Sequence, residues 1–176
     1  VVTEAIMDQV NREILEPCIQ GMAADGVPYT GILYAGLIIT ETGPKVIEFN
    51  VRFGDPETQA ILPRMITDIV PVFMACCDGK LDQMKIEYKD WPCVTVVMAS
   101  GGYPGSYKKN MLIEGIESAE TLEGVVVFHA GVKQERGDLF TAGGRVLNVT
   151  ALASTLPETI EKAYEAVSRI HFDGAH

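Results

Sequence analysis

The fold is decided by one stretch, Lys45-Val-Ile-Glu-Phe-Asn-Val-Arg-Phe-Gly-Asp-Pro-Glu-Thr58. It begins as an apolar strand, yet Glu48, Asn50 and Arg52 occupy alternate positions. Alternate residues of a strand point to one face and are roughly 6.6–6.8 Å apart. An acid, an amide and a guanidinium are costly to bury unless they are paired. A metal ion together with an anionic ligand would pair with all three. This stretch is therefore the first candidate for a functional site.

Glu48 and Asn50 are the predicted ligands of a divalent cation. Mg²⁺ prefers oxygen ligands, usually one or two carboxylates with substrate phosphates and water. Arg52 is suited to neutralise charge that develops as a phosphoryl group moves. The alternative is a polar strand face that meets solvent, with Arg52 in a weak surface salt bridge to Glu48. The pattern alone leaves both interpretations open.

The next residues, Asp55-Pro56-Glu57, predict the start of a helix. Asp55 suits the N-cap, Pro56 the first position, and Glu57 the positive end of the helix dipole. A helix N-terminus at the end of the strand is also a natural place to hold an anion. We therefore predict structural roles for Asp55 and Glu57, with direct substrate contact as the second interpretation.

A second candidate for anion binding is Gly143-Gly144-Arg145. Two glycines let main-chain N–H groups approach a phosphate while the arginine pairs with it. The alternative is a tight turn that leads into a strand, and the sequence does not decide between them. The glycine-rich residues 101–105 lack the Lys-Ser/Thr of a P-loop and are predicted to form a turn.

Composition sets the class of protein. The chain has 176 residues, 47% of them hydrophobic and 22% charged, which is typical of a soluble globular protein. Its formal charge of −10 argues against nucleic acid as a partner, since such binding needs many lysines and arginines. The longest apolar run, residues 32–39, is far shorter than the ~20 residues of a membrane helix, so no membrane partner is expected. The opening residues also lack the pattern of a signal peptide.

The four cysteines predict that the protein belongs to a reducing compartment. They lie among apolar residues and form no C-x-x-C pair. This pattern is typical of reduced, buried thiols in a cytoplasmic protein rather than of disulfides or zinc ligands.

The pattern along the chain predicts an α+β fold with two domains, residues 1–92 and 93–176. Thr3 is a predicted helix cap, and Pro17 is predicted to separate that helix from a second one over residues 17–24. Residues 31–40 and 45–51 read as a hairpin. The second domain is β-rich, with a final helix capped by Thr155. Its predicted strands are residues 94–99, 111–116, 125–129, 139–140 and 145–151.

Residues 46–59 resemble the signature of the phosphoribosylamine–glycine ligases, also called glycinamide ribonucleotide synthetases. The stretch Tyr29-Thr-Gly-Ile-Leu-Tyr-Ala-Gly36 resembles the strand that precedes this signature in the family. Residues 97–105, 128–131 and 143–147 follow in the family's order and spacing. The resemblance covers essentially the whole chain.

The resemblance implies the late part of an ATP-grasp fold, followed by a small β-rich lobe. It implies ligation of glycine to 5-phosphoribosylamine through a glycyl phosphate, with ATP as co-substrate and Mg²⁺ or Mn²⁺ as cofactor. By this resemblance Glu48 and Asn50 fall on metal-ligand positions, and Arg52 on the position that stabilises the transferring phosphate. The implied substrate-binding residues are Asp55, Glu57, Gly143, Gly144 and Arg145, with Arg145 a candidate for the ribose phosphate.

The family's chains are longer at the N-terminus, where the ATP-gripping strands and glycine-rich loop lie. The resemblance therefore implies a fragment whose missing partner is the N-terminal part of its own parent chain, and which is inactive alone. Two alternatives remain. One is another ATP-grasp carboxylate–amine ligase, and the other is a non-catalytic domain that binds a ligand or a protein.

Overall fold

The computed structural model describes residues 2–176 and has a mixed α+β architecture. Its helices in chain order are α1 (Glu4–Val10), α2 (Glu16–Ala24), α3 (Thr58–Ile61), α4 (Ile69–Cys77), α5 (Ile116–Glu120) and α6 (Leu156–Ser168). Its strands are β1 (Tyr34–Thr40), β2 (Gly43–Asn50), β3 (Cys93–Ala99), β4 (Leu112–Ile113), β5 (Val125–His129), β6 (Val132–Glu135), β7 (Asp138–Thr141) and β8 (Arg145–Leu152). Within residues 2–176, no helix is both long and apolar enough to cross a membrane.

Packing divides the chain into two compact units. The hairpin unit comprises residues 2–54 together with Asp68–Lys85, and the sheet unit comprises Asp55–Thr67 together with Ile86–His176. Residues 55–67 therefore pack with the later part of the chain, although they precede the predicted domain boundary at residue 92. That boundary stays a prediction, because compact units report packing rather than domain limits.

In the hairpin unit, the first helix begins as predicted. Thr3 is its N-cap, and its hydroxyl accepts a hydrogen bond from the N–H of Ile6 at 3.4 Å. The second helix predicted over residues 17–24 is confirmed as α2, Glu16–Ala24, whereas the interruption predicted at Pro17 is wrong. A π-helical segment, Asn11–Leu15, joins α1 to α2, and Pro17 lies in the first turn of α2, where its missing N–H is tolerated.

The predicted hairpin is confirmed, since β1 and β2 pair antiparallel from Tyr34 opposite Asn50 to Thr40 opposite Gly43. The register shifts between Gly36 and Leu37, which face Glu48 and Val46 respectively. Ile47 is therefore the extra residue of a β-bulge. Much of the hairpin's apolar surface is exposed, including Ile47 at 68%.

The sheet unit contains two three-stranded antiparallel sheets, ordered β3-β8-β5 and β4-β7-β6. Its core gathers β8 residues such as Leu147, Val149 and Ala151 with Ala163 and Ala166 of α6. Alternation along β8 turns Asn148 and Thr150 to the opposite face. Helix α3 packs on β3 and β8, and the hydroxyl of Thr150 lies 3.1 Å from the main-chain oxygen of Gln59.

Two sequence predictions in the sheet unit need correction, and one strand is additional to those predicted. Asp55 is not a helix N-cap, because residues 55–57 form a turn and α3 begins at Thr58. The strand predicted over residues 111–116 is only Leu112–Ile113, since Gly115 has φ +88° and Ile116 begins α5. Strand β6 was not predicted.

The predicted cap of the last helix is confirmed. Thr155 accepts from the N–H of Glu158, and the Glu158 carboxylate accepts from the N–H of Thr155, which forms a capping box. The prediction of buried thiols is wrong for Cys77, which is exposed, whereas Cys18, Cys76 and Cys93 are half-buried.

Candidate functional site

The first group of candidate residues lies at the end of β2 in the hairpin unit. The side-chain Nδ2 of Asn50 donates a hydrogen bond of 2.9 Å to Oε1 of Glu48. The two side chains therefore share one face, as the alternation predicts. Glu48 is exposed and Asn50 is half-buried. This contact leaves two oxygen atoms on the same face, Oε2 of Glu48 and Oδ1 of Asn50, that could bind a metal ion.

The hairpin shapes the space around Glu48. Gly36 lies opposite Glu48 across the pair of strands, next to the bulge at Ile47. A Cβ at Gly36 would come within 3.1 Å of Cγ of Glu48, which is tighter than ordinary contact. Gly36 therefore leaves room for the Glu48 side chain. Bulges of this kind re-aim neighbouring side chains and are frequent beside functional sites.

Arg52 differs from its predicted placement. Strand β2 ends at Asn50, so Arg52 lies beyond the strand and does not extend its alternating face. Within residues 2–176, its guanidinium Nη1 donates to the main-chain oxygen of its neighbour Phe53 at 2.8 Å rather than to Glu48. The side chain is exposed, so its remaining N–H donors face solvent.

Two residues of the first group, Glu48 and Asn50, could supply part of the ligand set of a hard divalent cation. Among residues 2–176, no three His, Cys, Asp or Glu side chains are grouped to hold a metal. Carboxylate and amide oxygens are the ligand types that Mg²⁺ accepts, and Mg²⁺ commonly takes only one or two carboxylates from a protein. Glu48 and Asn50 match that requirement, whereas a closed zinc site would need more ligands.

The second group lies in the sheet unit and joins two distant parts of the sequence. Nη2 of Arg145 lies 3.0 Å from Oδ2 of Asp55, and Nη1 donates to the main-chain oxygen of Asp55 at 2.7 Å. The two side chains are 38% and 44% exposed. These contacts use two of the five N–H donors of the guanidinium, and the others can meet an anion.

Gln59 was missed by the sequence reasoning. Its Nε2 donates to Oδ1 of Asp55 at 3.0 Å, so Asp55 is held from both sides, by Gln59 and by Arg145. The i, i+4 spacing of Asp55 and Gln59 is the signal that could have found this contact. The sequence gives no comparable signal for the buried Asn148 on β8.

The other predicted residues are placed as follows. Glu57 is half-buried, and its main-chain oxygen accepts from the N–H groups of Ala60 and Ile61, both at 3.0 Å. The N–H of Gly143 donates to the main-chain oxygen of Gly131 at 3.2 Å.

Gly144 is buried, and a Cβ there would overlap the ring of Tyr103. The glycine pair is thus used for close packing, and Arg145 is the member of this element with donors available to an anion.

Two family models match the chain in succession. Residues 1–58 match the phosphoribosylglycinamide synthetase ATP-grasp (A) domain, and residues 93–176 match the phosphoribosylglycinamide synthetase C domain. The chain belongs to the phosphoribosylglycinamide synthetase family. This result confirms the resemblance seen in the sequence and the ATP-grasp assignment of its early part.

Similar family members are bacterial proteins named phosphoribosylamine–glycine ligase. The relative from Vibrio vulnificus is 48% identical over 175 residues, and the one from Brucella melitensis is 46% identical over 170 residues. These alignments cover 99% and 97% of this chain but 41% and 40% of the relatives. The chain thus spans about two fifths of the length of the curated relatives it matches.

Solved structures agree on the fold. The crystal structure of phosphoribosylamine–glycine ligase from Thermotoga maritima superposes with a TM-score of 0.84 at 31% identity, covering 99% of this chain and 43% of that chain. N5-carboxyaminoimidazole ribonucleotide synthetase from the same organism gives a TM-score of 0.62 at 17% identity, covering 97% of this chain and 43% of that one. The second match, at 17% identity, supports the fold and nothing more specific. The predicted α+β fold of ATP-grasp type is therefore confirmed.

Proposed function

We propose that the chain takes part in the ATP-dependent ligation of glycine to 5-phosphoribosylamine, a reaction of purine biosynthesis. The products are glycinamide ribonucleotide, ADP and phosphate. Membership of the family and the names of its relatives support the reaction. The structural observation that carries the proposal is the Glu48–Asn50 pair, two oxygen-bearing side chains joined at 2.9 Å on one face of β2.

The reaction has two steps. A glycine carboxylate oxygen attacks the γ-phosphorus of ATP, and the bond to ADP breaks to give glycyl phosphate. The amine of 5-phosphoribosylamine then attacks the acyl carbon, a C–N bond forms, phosphate leaves and the nitrogen loses a proton. Negative charge develops on the transferring phosphoryl group and the ADP oxygen in the first step, and on the acyl oxygen and the departing phosphate in the second. The protein's main task is therefore to place and stabilise that charge.

Glu48 and Asn50 would hold Mg²⁺ or Mn²⁺ through their oxygens. When bound, such an ion neutralises charge on phosphate oxygens and orients them. Arg52 would add a guanidinium to the same task, and its hydrogen bond to the main-chain oxygen of Phe53 uses one of its five N–H donors. Arg52 is the catalytic residue of this proposal, because it would contact the transferring phosphate.

Asp55, Glu57 and Arg145 would recognise the substrates, with Gly143 and Gly144 shaping the turn before Arg145. Arg145 is the proposed partner of the ribose phosphate, since a guanidinium pairs well with phosphate oxygens. Its contacts with Asp55 would fix the direction in which its free donors point. A pre-positioned arginine loses less conformational freedom on binding than a mobile one.

The test uses the complete protein encoded by the gene. ADP release is measured with ATP, Mg²⁺, glycine and freshly formed phosphoribosylamine, and then with each substrate omitted. We expect turnover only when all are present, and none when bicarbonate replaces glycine. Turnover with bicarbonate would favour another ATP-grasp ligase. ATP binding without turnover of any carboxylate would favour a non-catalytic domain.

A further inference from the structure

Two side-chain amides in the sheet unit, those of Gln59 and Asn148, have buried atoms without a hydrogen-bond partner in the described part of the chain. Among residues 2–176, the buried side-chain atoms without a protein partner are Oε1 of Gln59 and both Nδ2 and Oδ1 of Asn148. Asn148 is 0% exposed. Buried polar atoms are nearly always paired, so an unpaired one calls for an explanation.

The orientation of Gln59 explains its unpaired oxygen. A carboxylate only accepts hydrogen bonds, so the amide must turn Nε2 toward Oδ1 of Asp55, which lies 3.0 Å away. This orientation points Oε1 into the protein, where no donor meets it. A methionine or leucine would fill similar space with no unpaired oxygen. The contact to Asp55 is therefore retained despite an unfavourable buried atom, which indicates a role beyond packing.

The main chain of Gln59 is also held in place, by a threonine of the sheet. Its main-chain oxygen accepts from the hydroxyl of Thr150 at 3.1 Å, and that hydroxyl lies 2.9 Å from the hydroxyl of Thr95. Thr150 shares its face of β8 with Asn148. A continuous set of contacts thus runs from the sheet through Gln59 to Asp55, and from Asp55 to Arg145 at 3.0 Å.

We propose that Gln59 is a positioning residue. It holds the carboxylate of Asp55 against Arg145, so that Arg145 keeps its remaining donors directed toward the phosphate of phosphoribosylamine. This inference rests on the proposed function. Gln59 touches no reacting atom in this scheme and acts only through Asp55.

The first test is the variant Gln59→Met in the complete protein, with Gln134→Met as the matched control. Gln134 is exposed on β6 in the same unit. We expect Gln59→Met to raise KM for phosphoribosylamine about tenfold, the size of one lost hydrogen bond to a charged group. We expect kcat, KM for ATP and the thermal midpoint of unfolding to stay close to wild type. An unchanged KM for phosphoribosylamine would overturn the inference.

A double-mutant cycle tests whether Gln59 acts through Asp55. In an Asp55→Ala background, Gln59→Met is expected to change KM no further, because its target is gone. An equal effect in both backgrounds would overturn the positioning role. Gln59→Glu, which replaces the N–H donor with a second carboxylate that repels Asp55, is expected to raise KM for phosphoribosylamine at least as much as Gln59→Met and serves if the methionine variant fails to fold.

A structural readout separates this inference from the proposed function. If the wild-type protein shows no phosphoribosylamine-dependent turnover, the proposed function fails, but crystal structures of wild type and Gln59→Met still test the positioning. We expect the Asp55–Arg145 distance to open beyond the salt-bridge limit of about 4 Å in the variant. A pair that stays at its wild-type distance would refute the role of Gln59.

Discussion

Arg145 holds Asp55 at two points, with Nη2 3.0 Å from the carboxylate oxygen Oδ2 and Nη1 2.7 Å from the main-chain oxygen. The two residues are 90 positions apart in the sequence and are brought together by the fold. A single exposed ion pair contributes little to stability. Two simultaneous contacts instead fix the plane of the guanidinium. Their main effect is therefore to set the direction of the remaining N–H donors of Arg145, rather than to add stability.

Arg145→Lys tests that direction. A lysine keeps the charge but cannot reach a carboxylate and a carbonyl with one planar group. We expect KM for phosphoribosylamine to rise at least about tenfold, with a smaller change in kcat and unfolding stability within about 0.5 kcal/mol. Steady-state kinetics and urea unfolding measure both quantities. Arg136→Lys, in the β6–β7 turn, is the control, and an equal effect there would remove Arg145 from substrate binding.

Glu48→Gln tests the cation site. The substitution keeps the shape of the side chain and its contact with Asn50 but removes the charge that attracts a divalent ion. We expect kcat to fall about a hundredfold or more and the Mg²⁺ concentration for half-maximal rate to rise. Glu41→Gln, at the exposed tip of the same hairpin, should leave both unchanged. A normal Mg²⁺ requirement in Glu48→Gln would exclude Glu48 as a ligand.

Gly36→Ala tests the space beside Glu48. The added Cβ would lie 3.1 Å from Cγ of Glu48, so the carboxylate has to shift. Gly36 does not have a positive φ, so the backbone tolerates alanine. We expect a higher Mg²⁺ requirement with little change in the thermal midpoint of unfolding. Gly21→Ala in α2, where a Cβ meets nothing within 4 Å, is the control. Identical Mg²⁺ titrations for Gly36→Ala and wild type would show that Glu48 tolerates the shift or is not a ligand.

Local rules predicted the elements whose stability is local. The hairpin follows from two apolar runs around a Thr-Gly turn, and α6 from Thr155 as the cap of an amphipathic run. The same rules failed at Asp55. Its side chain has the chemistry of an N-cap, yet it pairs with Gln59 and Arg145, and α3 starts three residues later.

The contacts of the second group could not be predicted, because they are set by tertiary structure. Thr150 meets Gln59 across 91 residues, and Arg145 meets Asp55 across 90. No periodicity or spacing in one sequence encodes such pairs. The last helix shows the same limit on a smaller scale. Thr159, Ala163 and Ala166 of α6 are fully buried, whereas the larger apolar residues Leu156 and Ile160 are 52% and 41% exposed.

The capping box of α6 gives a prediction on pH. The carboxylate of Glu158 accepts from the hydroxyl of Ser154 and from the N–H of Thr155, and these hydrogen bonds lower its pKa. A carboxyl whose pKa is lower in the folded protein stabilises the fold above its unfolded pKa, about 4.3 for glutamate. That stabilisation is lost as the pH falls through the lowered pKa of the folded state.

Glu158→Gln should therefore be less stable than wild type at neutral pH, and the difference should shrink once the pH falls below the usual range for glutamate. Urea unfolding across this pH range measures the difference. Glu161→Gln is the control, because Glu161 is exposed on the same helix and takes no part in the capping box. A difference between Glu158→Gln and wild type that persists undiminished in acid would show that the charge of Glu158 does not support the cap.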